Sequence, residues 1–230
     1  MAAAAAHSLS ELKNGAAAAQ LLPHAADADP FVCVAVLRAL RELRAPRSFG
    51  PVMAALQASD ALVRRQAVSV LGYLKNADAT GALSALVQAD PEPDVRRSAV
   101  GALGFASGTA APQALRGALH DAAWQVREEA ATTLGKLHAL AAAPDLIDAL
   151  TDPYWQVRLR APRSLGRLRY RAALPALVEA LAHTVSNLRK EAALALGEIG
   201  DAAALPALLQ QDSDPDPEVR KVVRLALGQI

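Results

Sequence analysis

Apolar side chains recur along this chain at the spacing of one helix face. In the stretch that begins at Trp124, they fall at Val126, Ala130, Leu134 and Leu137. Steps of four, four and three residues keep these side chains on one side of an α-helix, which turns about once every 3.6 residues. The stretch therefore predicts an amphipathic helix with one buried face.

The same pattern repeats at a nearly constant period. Leucine stands eight positions after every anchor, glycine follows that leucine in six of the seven copies, and arginine follows six of the anchors. A period of this length along the whole chain predicts stacked structural repeats. The anchors are spaced 31 or 32 residues apart and are Val32, Val63, Val95, Val126, Val157, Leu188 and Val219.

Each period also contains a second helix, so the unit is an A helix, a tight turn, the anchored B helix and a loop. In five periods a proline stands in the first turn of the A helix, where its missing N–H is tolerated. These prolines are Pro51, Pro112, Pro144, Pro175 and Pro206. The pattern predicts an all-α fold, a right-handed α-solenoid of stacked helix pairs with about 31 residues per repeat.

We expect one repeat domain over residues 1–230. In this division, 1–31 form an N-terminal cap and the first A helix, 32–218 hold six full repeat periods, and 219–230 form the C-terminal B helix. The cap includes an unpaired helix over Ala2–Lys13. Pro162 lies inside a predicted B helix and is expected to kink or delay it.

The repeat, written D-P-x-x-x-V-R-x-x-A-x-x-x-L-G-x-L, resembles the short HEAT repeats. In particular, it is similar to the class found in phycobilisome lyases and their relatives. The resemblance implies the fold strongly and the function weakly, because many scaffolds without enzymatic activity have the same repeat. It also implies an alternative function, namely a bilin or tetrapyrrole lyase or another chromophore-handling factor.

Composition and charge narrow the class of protein. The chain is 53% hydrophobic but only 3% aromatic, which suits closely stacked helices. No apolar run reaches the roughly 18 residues that span a membrane, and Met1–Ala6 lacks the basic residues of a secretory signal. The lone cysteine, Cys33, fits a reducing cytoplasm, and a net charge of +1 argues against nucleic acid or anionic lipid as partner.

The B-helix positions +3, +6 and +10 from each anchor lie opposite the buried face and are predicted to form the concave surface of the stack. Tyr73 and Phe105 share position +10 in adjacent repeats, beside the small residues Ser69, Ser98 and Gly101. Aromatic anchors over a shallow hollow are typical of partner-binding sites. The alternative is that both rings fold against the seam between repeats.

Trp124 and Trp155 also share a register, two residues before their anchors. That position lies at the edge of the buried face, so packing between repeats competes with a role in partner recognition. We retain both residues as candidates.

Arginine dominates the same surface farther along the chain. Arg160, Arg163 and Arg167 lie on a single helical face and are suited to clamp carboxylates, which predicts a protein partner with an acidic surface. Glu129 and Glu191 occupy the equivalent +3 positions on either side of Arg160. In the alternative, Arg160 forms ion pairs with Glu129 and Glu191 in an alternating ladder, and its charge is then not available to a partner.

The arginine that follows each anchor has a structural interpretation. Aspartate recurs five residues before five of the anchors, so pairing of arginine with aspartate across stacked turns explains both residue types. We therefore expect a framework of ion pairs. These aspartates are Asp27, Asp90, Asp121, Asp152 and Asp214.

No catalytic, metal or cofactor motif is recognisable. The five histidines are scattered and none precedes a glutamate, and the HExxH, CxxC, phosphate-loop and GxSxG patterns are missing. We therefore predict a non-catalytic, cytoplasmic scaffold that binds a protein partner through the aromatic pair and the arginines, with its oligomeric state left open. In the lyase-like alternative, a planar pigment would lie near the aromatic pair, with its propionates held by Arg160 or Arg163.

Overall fold

The computed structural model describes residues 17–105 and 111–230. Within these ranges the chain is all-α, with fourteen α-helices and no strand. The helices are α1 (Ala17–Leu21), α2 (Pro30–Glu42), α3 (Phe49–Ala55), α4 (Ala61–Leu74), α5 (Thr80–Ala89), α6 (Pro93–Leu103), α7 (Ala111–Ala118), α8 (Trp124–Lys136), α9 (Ala143–Asp148), α10 (Trp155–Leu168), α11 (Leu174–Ala180), α12 (Ser186–Ile199), α13 (Leu205–Gln210) and α14 (Pro217–Leu227).

Long and short helices alternate as the sequence predicts. The seven anchors lie in the even-numbered helices, and the five A-helix prolines lie within the first three residues of odd-numbered helices. The predicted pairs of A and B helices are therefore confirmed for the described residues. The predicted cap helix over Ala2–Lys13 lies outside them.

The chain divides into two compact units, Met1–Ala114 and Leu115–Ile230, called the first and second unit below. In the first unit α4 packs against both α2 and α6, and in the second unit α8, α10, α12 and α14 pack in that order. In each of the six long helices from α2 to α12, the leucine eight positions after the anchor is almost fully buried, as at Leu71 and Leu134. The assigned buried face of the long helices is therefore correct.

The glycine that follows this leucine lets neighbouring long helices approach closely. A Cβ atom added at Gly166 would lie 2.8 Å from the Cα of Ala195, and one added at Gly197 would lie 2.8 Å from the Cα of Ala226. At Gly72 the closest atom would be the Cβ of Ala102, at 3.1 Å. Small residues thus face each other across the contact between B helices.

Pro162 does not interrupt its helix, so the expected delay is wrong. Helix α10 runs through it without a break, and Pro162 itself is buried. Ala161 and Leu165 on either side of it are fully buried. Their packing offsets the roughly 3 kcal/mol that proline costs inside a helix.

None of the described helices is long and apolar enough to cross a membrane.

Candidate functional site

Ion pairs between arginine and aspartate join successive repeats within each unit. Arg64 donates from Nε and Nη2 to the two carboxylate oxygens of Asp90, at 2.8 and 2.9 Å. Arg127 and Asp152 form the same pair at 2.7 and 3.0 Å, and Arg189 and Asp214 at 2.7 and 2.8 Å. The predicted Arg–Asp framework is confirmed in these three places.

Each of these pairs also holds the loop before its helix. The Nη1 group of Arg64 donates to two carbonyl oxygens in the preceding loop, and an oxygen of Asp90 accepts the N–H of Glu92. Burial raises the pKa of Asp90. The hydrogen bonds from Arg64 and from the Glu92 N–H lower the pKa by more than burial raises it, so the pKa lies below the usual value. Asp152 behaves alike through Arg127 and the Tyr154 N–H. These groups are occupied by the frame and are not available to a ligand.

Cys33 stands in place of the arginine in the first repeat. Its Sγ donates to the Asp27 carbonyl oxygen at 3.0 Å, and Ala58 stands where the paired aspartate would be. Burial raises the pKa of the Cys33 thiol, which is the opposite of what a catalytic thiolate requires. Cys33 is therefore a buried packing residue at the place of the arginine.

An open groove of about 660 Å³ lies in the first unit, along α4 and α6 and the residues that follow them. Tyr73 and Phe105 both line it, with 48% and 57% of their surface exposed. Neither ring is buried against the seam between repeats. Small and apolar side chains complete the groove: Val68, Ser69, Gly72, Ser98 and Ala102.

Two cations cover the rings of this aromatic groove. The guanidinium carbon of Arg44 lies 5.4 Å from the centre of the Tyr73 ring, and the Nζ of Lys75 lies 5.4 Å from the centre of the Phe105 ring. Each cation comes from the end of one long helix and covers the ring of the next repeat. Among the described residues, neither Arg44 nor Lys75 has a carboxylate partner.

Both cations have a left-handed backbone, with φ of 48° at Arg44 and 53° at Lys75. That conformation costs a residue other than glycine about 1–2 kcal/mol. A surface cation–π contact contributes about 0.5–1 kcal/mol, and a cation at a helix C-terminus about 0.3–1 kcal/mol. These terms roughly balance, and Gly200 occupies the equivalent position after α12 with φ of 67°. Stability therefore does not explain why Arg44 and Lys75 stand there instead of glycine.

A third cation at the groove is already bound. Arg41 pairs with Glu42 at 2.6 Å and donates from Nη1 to the Ser69 hydroxyl at 3.3 Å. None of the described residues that line the groove is acidic. The groove therefore offers two unpaired positive charges beside two exposed rings.

The arginine face of the second unit consists of Arg160, Arg163 and Arg167, and it is largely engaged. Arg160 pairs with Glu128 at 2.9 Å, and Arg163 pairs with Glu191 at 3.2 Å. The expected Glu129–Arg160–Glu191 ladder is thus wrong in its partners. The partner of Arg160, Glu128, stands at position +2 of α8, one residue before the predicted Glu129.

Arg167 is the member of this face whose charge is not paired with a glutamate or aspartate of the described residues. It is exposed, and among the described residues no carboxylate lies within ion-pair distance of it. One free arginine is a weaker site for an acidic partner than the three that the sequence predicts.

The two tryptophans are not brought together. Trp124 stacks on Tyr154, with ring centres 5.8 Å apart and planes 17° from parallel, so it packs between repeats. The guanidinium of Arg127 lies 5.4 Å from the centre of the same Tyr154 ring. Trp155, by contrast, leaves 56% of its surface exposed.

Sequence reasoning missed Arg44 and Lys75, which lie twelve residues after their anchors. Their position is outside the predicted B-helix face. The ring that each of them covers belongs to the next repeat. A signal was present, since His138 and Arg169 are basic residues at the same position and also have left-handed backbones. No described group of three or more histidine, cysteine or acidic side chains is arranged to hold a metal ion.

Comparison with known families agrees with this architecture. The profile described as HEAT repeats matches residues 49–135 and 143–228, and the profile described as PBS lyase HEAT-like repeat matches residues 126–152. No curated protein matches the sequence significantly.

Solved structures with the same helical arrangement include natural and engineered proteins. An engineered protein is 23% identical with a TM-score of 0.63, over 92% of this chain and 67% of that one. The CpcE–CpcF complex of phycocyanin lyase from Nostoc sp. PCC7120 is 22% identical with a TM-score of 0.60, over 93% and 94%. YibA of E. coli is 16% identical with a TM-score of 0.64, over 98% and 95%. At these identities the likeness shows the fold alone.

Proposed function

The chain belongs to the HEAT-repeat family, and on that premise we propose that it is a non-catalytic scaffold that binds a protein partner. The partner lies on the outward positions of the long helices, centred on the aromatic groove of the first unit. In the second unit, Arg167 and Trp155 are candidate contacts of their own. A cytoplasmic location fits the single cysteine, which is buried and unpaired.

The observation that carries this proposal is the exposure of Tyr73 and Phe105 in one groove. Half-exposed aromatic rings at a groove lined by small residues are typical of the few side chains that dominate a protein interface. Tyr73 and the small residues lie on α4 and α6, and Phe105 follows two residues after α6. Because helices hold most of the groove in place, little conformational entropy is lost on binding.

A pull-down from native cytosol tests the scaffold. The bait is the full chain as wild type, as a Tyr73→Ala/Phe105→Ala variant, and as a Leu62→Ala variant. Leu62 is the matched control because it is 55% exposed and lies on the same helix as Tyr73 but outside the groove. We expect a partner that both the wild type and Leu62→Ala retain and that the double variant loses. Identical partners for all three folded baits would contradict the choice of surface.

A second function is a chromophore-handling factor of the lyase type. Its support is the combination of aromatic rings and unpaired cations in the groove, which suits a flat molecule with carboxylate groups, together with the PBS lyase HEAT-like match over residues 126–152. Absorbance titration with biliverdin, a linear tetrapyrrole with two propionates, separates the two functions. Saturable binding that Tyr73→Ala/Phe105→Ala abolishes would favour the lyase-like function, whereas the scaffold predicts no saturable binding.

A further inference from the structure

We propose that the aromatic groove recognises an extended acidic peptide segment whose two carboxylates are three residues apart, with Arg44 and Lys75 as the residues that select it. This inference rests on the scaffold function proposed above and names the chemistry of the partner. It follows from the charge of the groove, from the unusual backbone of the two cations and from their spacing.

The charge of the groove defines the ligand as an anion. Arg44 and Lys75 are exposed, and the structure gives neither of them a carboxylate partner among the described residues. Arg41, the third cation, is paired with Glu42 and lends little further charge. A ligand with two carboxylates would give each of these two cations an ion-pair partner.

The backbone shows that these cations are retained despite a conformational cost. At the same place in the repeat, Gly200 adopts the left-handed conformation without a side chain. His138 and Arg169 have the same backbone at this position, but only Arg44 and Lys75 lie over the rings of the groove. This contact, rather than the backbone alone, favours a binding role for the two cations.

The rings argue for a peptide rather than a stacked planar ligand. One face of the Tyr73 ring is covered by Arg44 and one face of the Phe105 ring by Lys75, each at 5.4 Å. A flat ligand would have to displace the cations from those faces before stacking on them. Carboxylates can instead approach the cations from the solvent side, while an apolar side chain enters between the rings.

The spacing of adjacent repeats sets the expected spacing of the acids. Arg44 and Lys75 occupy equivalent positions in adjacent repeats, and packed helices lie about 8–10 Å apart. In a polyproline II segment, residues three apart project to the same side at a distance of about 9 Å. In a β-strand, residues two apart project to the same side at only about 7 Å. A proline-rich segment with acids at i and i+3 therefore matches the groove.

Fluorescence anisotropy with labelled peptides tests the proposal on the full chain. The matching probe is Pro-Pro-Glu-Pro-Leu-Glu-Pro-Pro, in which the glutamates are three residues apart. A second probe, Pro-Pro-Glu-Leu-Glu-Pro-Pro-Pro, has the same composition with the glutamates two apart, and a third replaces both glutamates of the first by glutamine. We expect the first to bind at least tenfold more tightly than either of the others, with an affinity that falls as salt rises.

Three variants separate binding from folding. Arg44→Gly and Lys75→Gly should each weaken binding of the matching peptide at least tenfold while the thermal midpoint stays the same or rises. Arg169→Gly is the matched control, since Arg169 has the same left-handed backbone but covers no ring among the described residues. It should shift the thermal midpoint in the same way and leave peptide binding unchanged.

Equal binding of the three peptides, or unchanged binding by Arg44→Gly and Lys75→Gly, would overturn the proposal. So would displacement of the matching peptide by a much lower concentration of biliverdin than of unlabelled peptide. If the peptides fail but the pull-down partner still depends on Tyr73 and Phe105, the acidic segment is wrong and the scaffold stands. If the partner also ignores Tyr73 and Phe105, the scaffold surface itself fails.

Discussion

Two regions of this chain use the same helix positions for different chemistry. In the first unit, position +10 carries Tyr73 and Phe105, which stay exposed beside cations that lack carboxylate partners. In the second unit, α10 carries arginines at +3, +6 and +10, and the first two are paired with glutamates of adjacent helices. One surface is open for a ligand, and the other is largely satisfied by its own chain.

The difference shows that charge counted along a sequence does not measure the charge available for binding. The arginine face has three arginines on one helix, but Glu128 and Glu191 engage two of them. The aromatic groove is also lined by three cations, but two of them, Arg44 and Lys75, are exposed and have no carboxylate partner among the described residues. Beneath both surfaces the frame is the same, because the buried leucines, the close-contact glycines and the Arg–Asp pairs recur in each unit.

The largest effect is expected where the two units are alike. Leu71→Ala and Leu134→Ala should each lower the free energy of unfolding by about 2–5 kcal/mol, because both side chains are almost fully buried and truncation leaves a cavity. Urea denaturation followed by circular dichroism measures this. Leu140→Ala is the control, since Leu140 is 56% exposed and its truncation should change little. A large loss in one unit alone would mean that the frame is not shared.

The next effect concerns the Arg–Asp pairs. Asp152→Asn should cost about 1.5–3 kcal/mol, because Arg127 loses a charge-assisted pair of hydrogen bonds in a mostly buried place. Asp148→Asn, at an exposed position on α9, is the control. Thermal unfolding of both variants beside the wild type measures the difference.

The same pair predicts a dependence on pH. Because the pKa of Asp152 is lowered in the folded chain, its contribution is fully present above the pKa of an unfolded aspartate, about 3.9, and is lost as the pH falls through the lower folded value. Asp152→Asn should therefore lose less stability on acidification than the wild type does. Parallel acid titrations of the two proteins would contradict this assignment.

A smaller effect compares the closeness of helix packing in the two units. Gly166→Ala should cost roughly 1–3 kcal/mol, since the new Cβ would lie 2.8 Å from a backbone atom, at Ala195 Cα. Gly72→Ala should cost less, because its closest contact is a side-chain atom at 3.1 Å. Gly81→Ala meets nothing within 4 Å and should be neutral or stabilising. Chemical denaturation ranks the three, and the reverse order would refute the geometry.

The smallest effect tests the engaged arginines directly. A double-mutant cycle of Arg163→Ala and Glu191→Ala should give a coupling of about 0.2–1 kcal/mol, as expected for a pair whose arginine is 45% exposed. A cycle of Arg167→Ala and Glu191→Ala should give no coupling and serves as the control. Absence of coupling in both cycles would mean that the arginine face is less satisfied than its geometry indicates.

Much of the fold could be predicted because its constraints repeat. Each buried leucine, each helix-leading proline and each Arg–Asp pair appears several times, so the period averages out local exceptions. Pro162 shows the limit, because a local rule predicted a kinked or delayed helix, whereas the helix begins at Trp155 and continues through Pro162 between the buried Ala161 and Leu165. Tertiary packing decides such cases.

The candidate site was harder to predict because its contacts join residues of different repeats. Tyr73 and Phe105 were identified from their shared register, but Arg44 and Lys75 cover them from the ends of the preceding helices. Arg160 was assigned the wrong glutamate because helical position alone does not give the distances between side chains of neighbouring helices. Side-chain pairing across a seam depends on distances that a period does not contain.

The sharing of each cation–ring contact between two repeats has a consequence for recombination. Removal of residues 45–75, one whole period, would join Arg44 to Asn76 in place of Lys75. Arg44 would then come to lie over Phe105, because the cation of one repeat covers the ring of whichever repeat follows it. NMR contacts between Arg44 and Phe105 in the shortened chain would show this. Whole-period loss or duplication can therefore change the length of such a groove while renewing the pairing at each new junction.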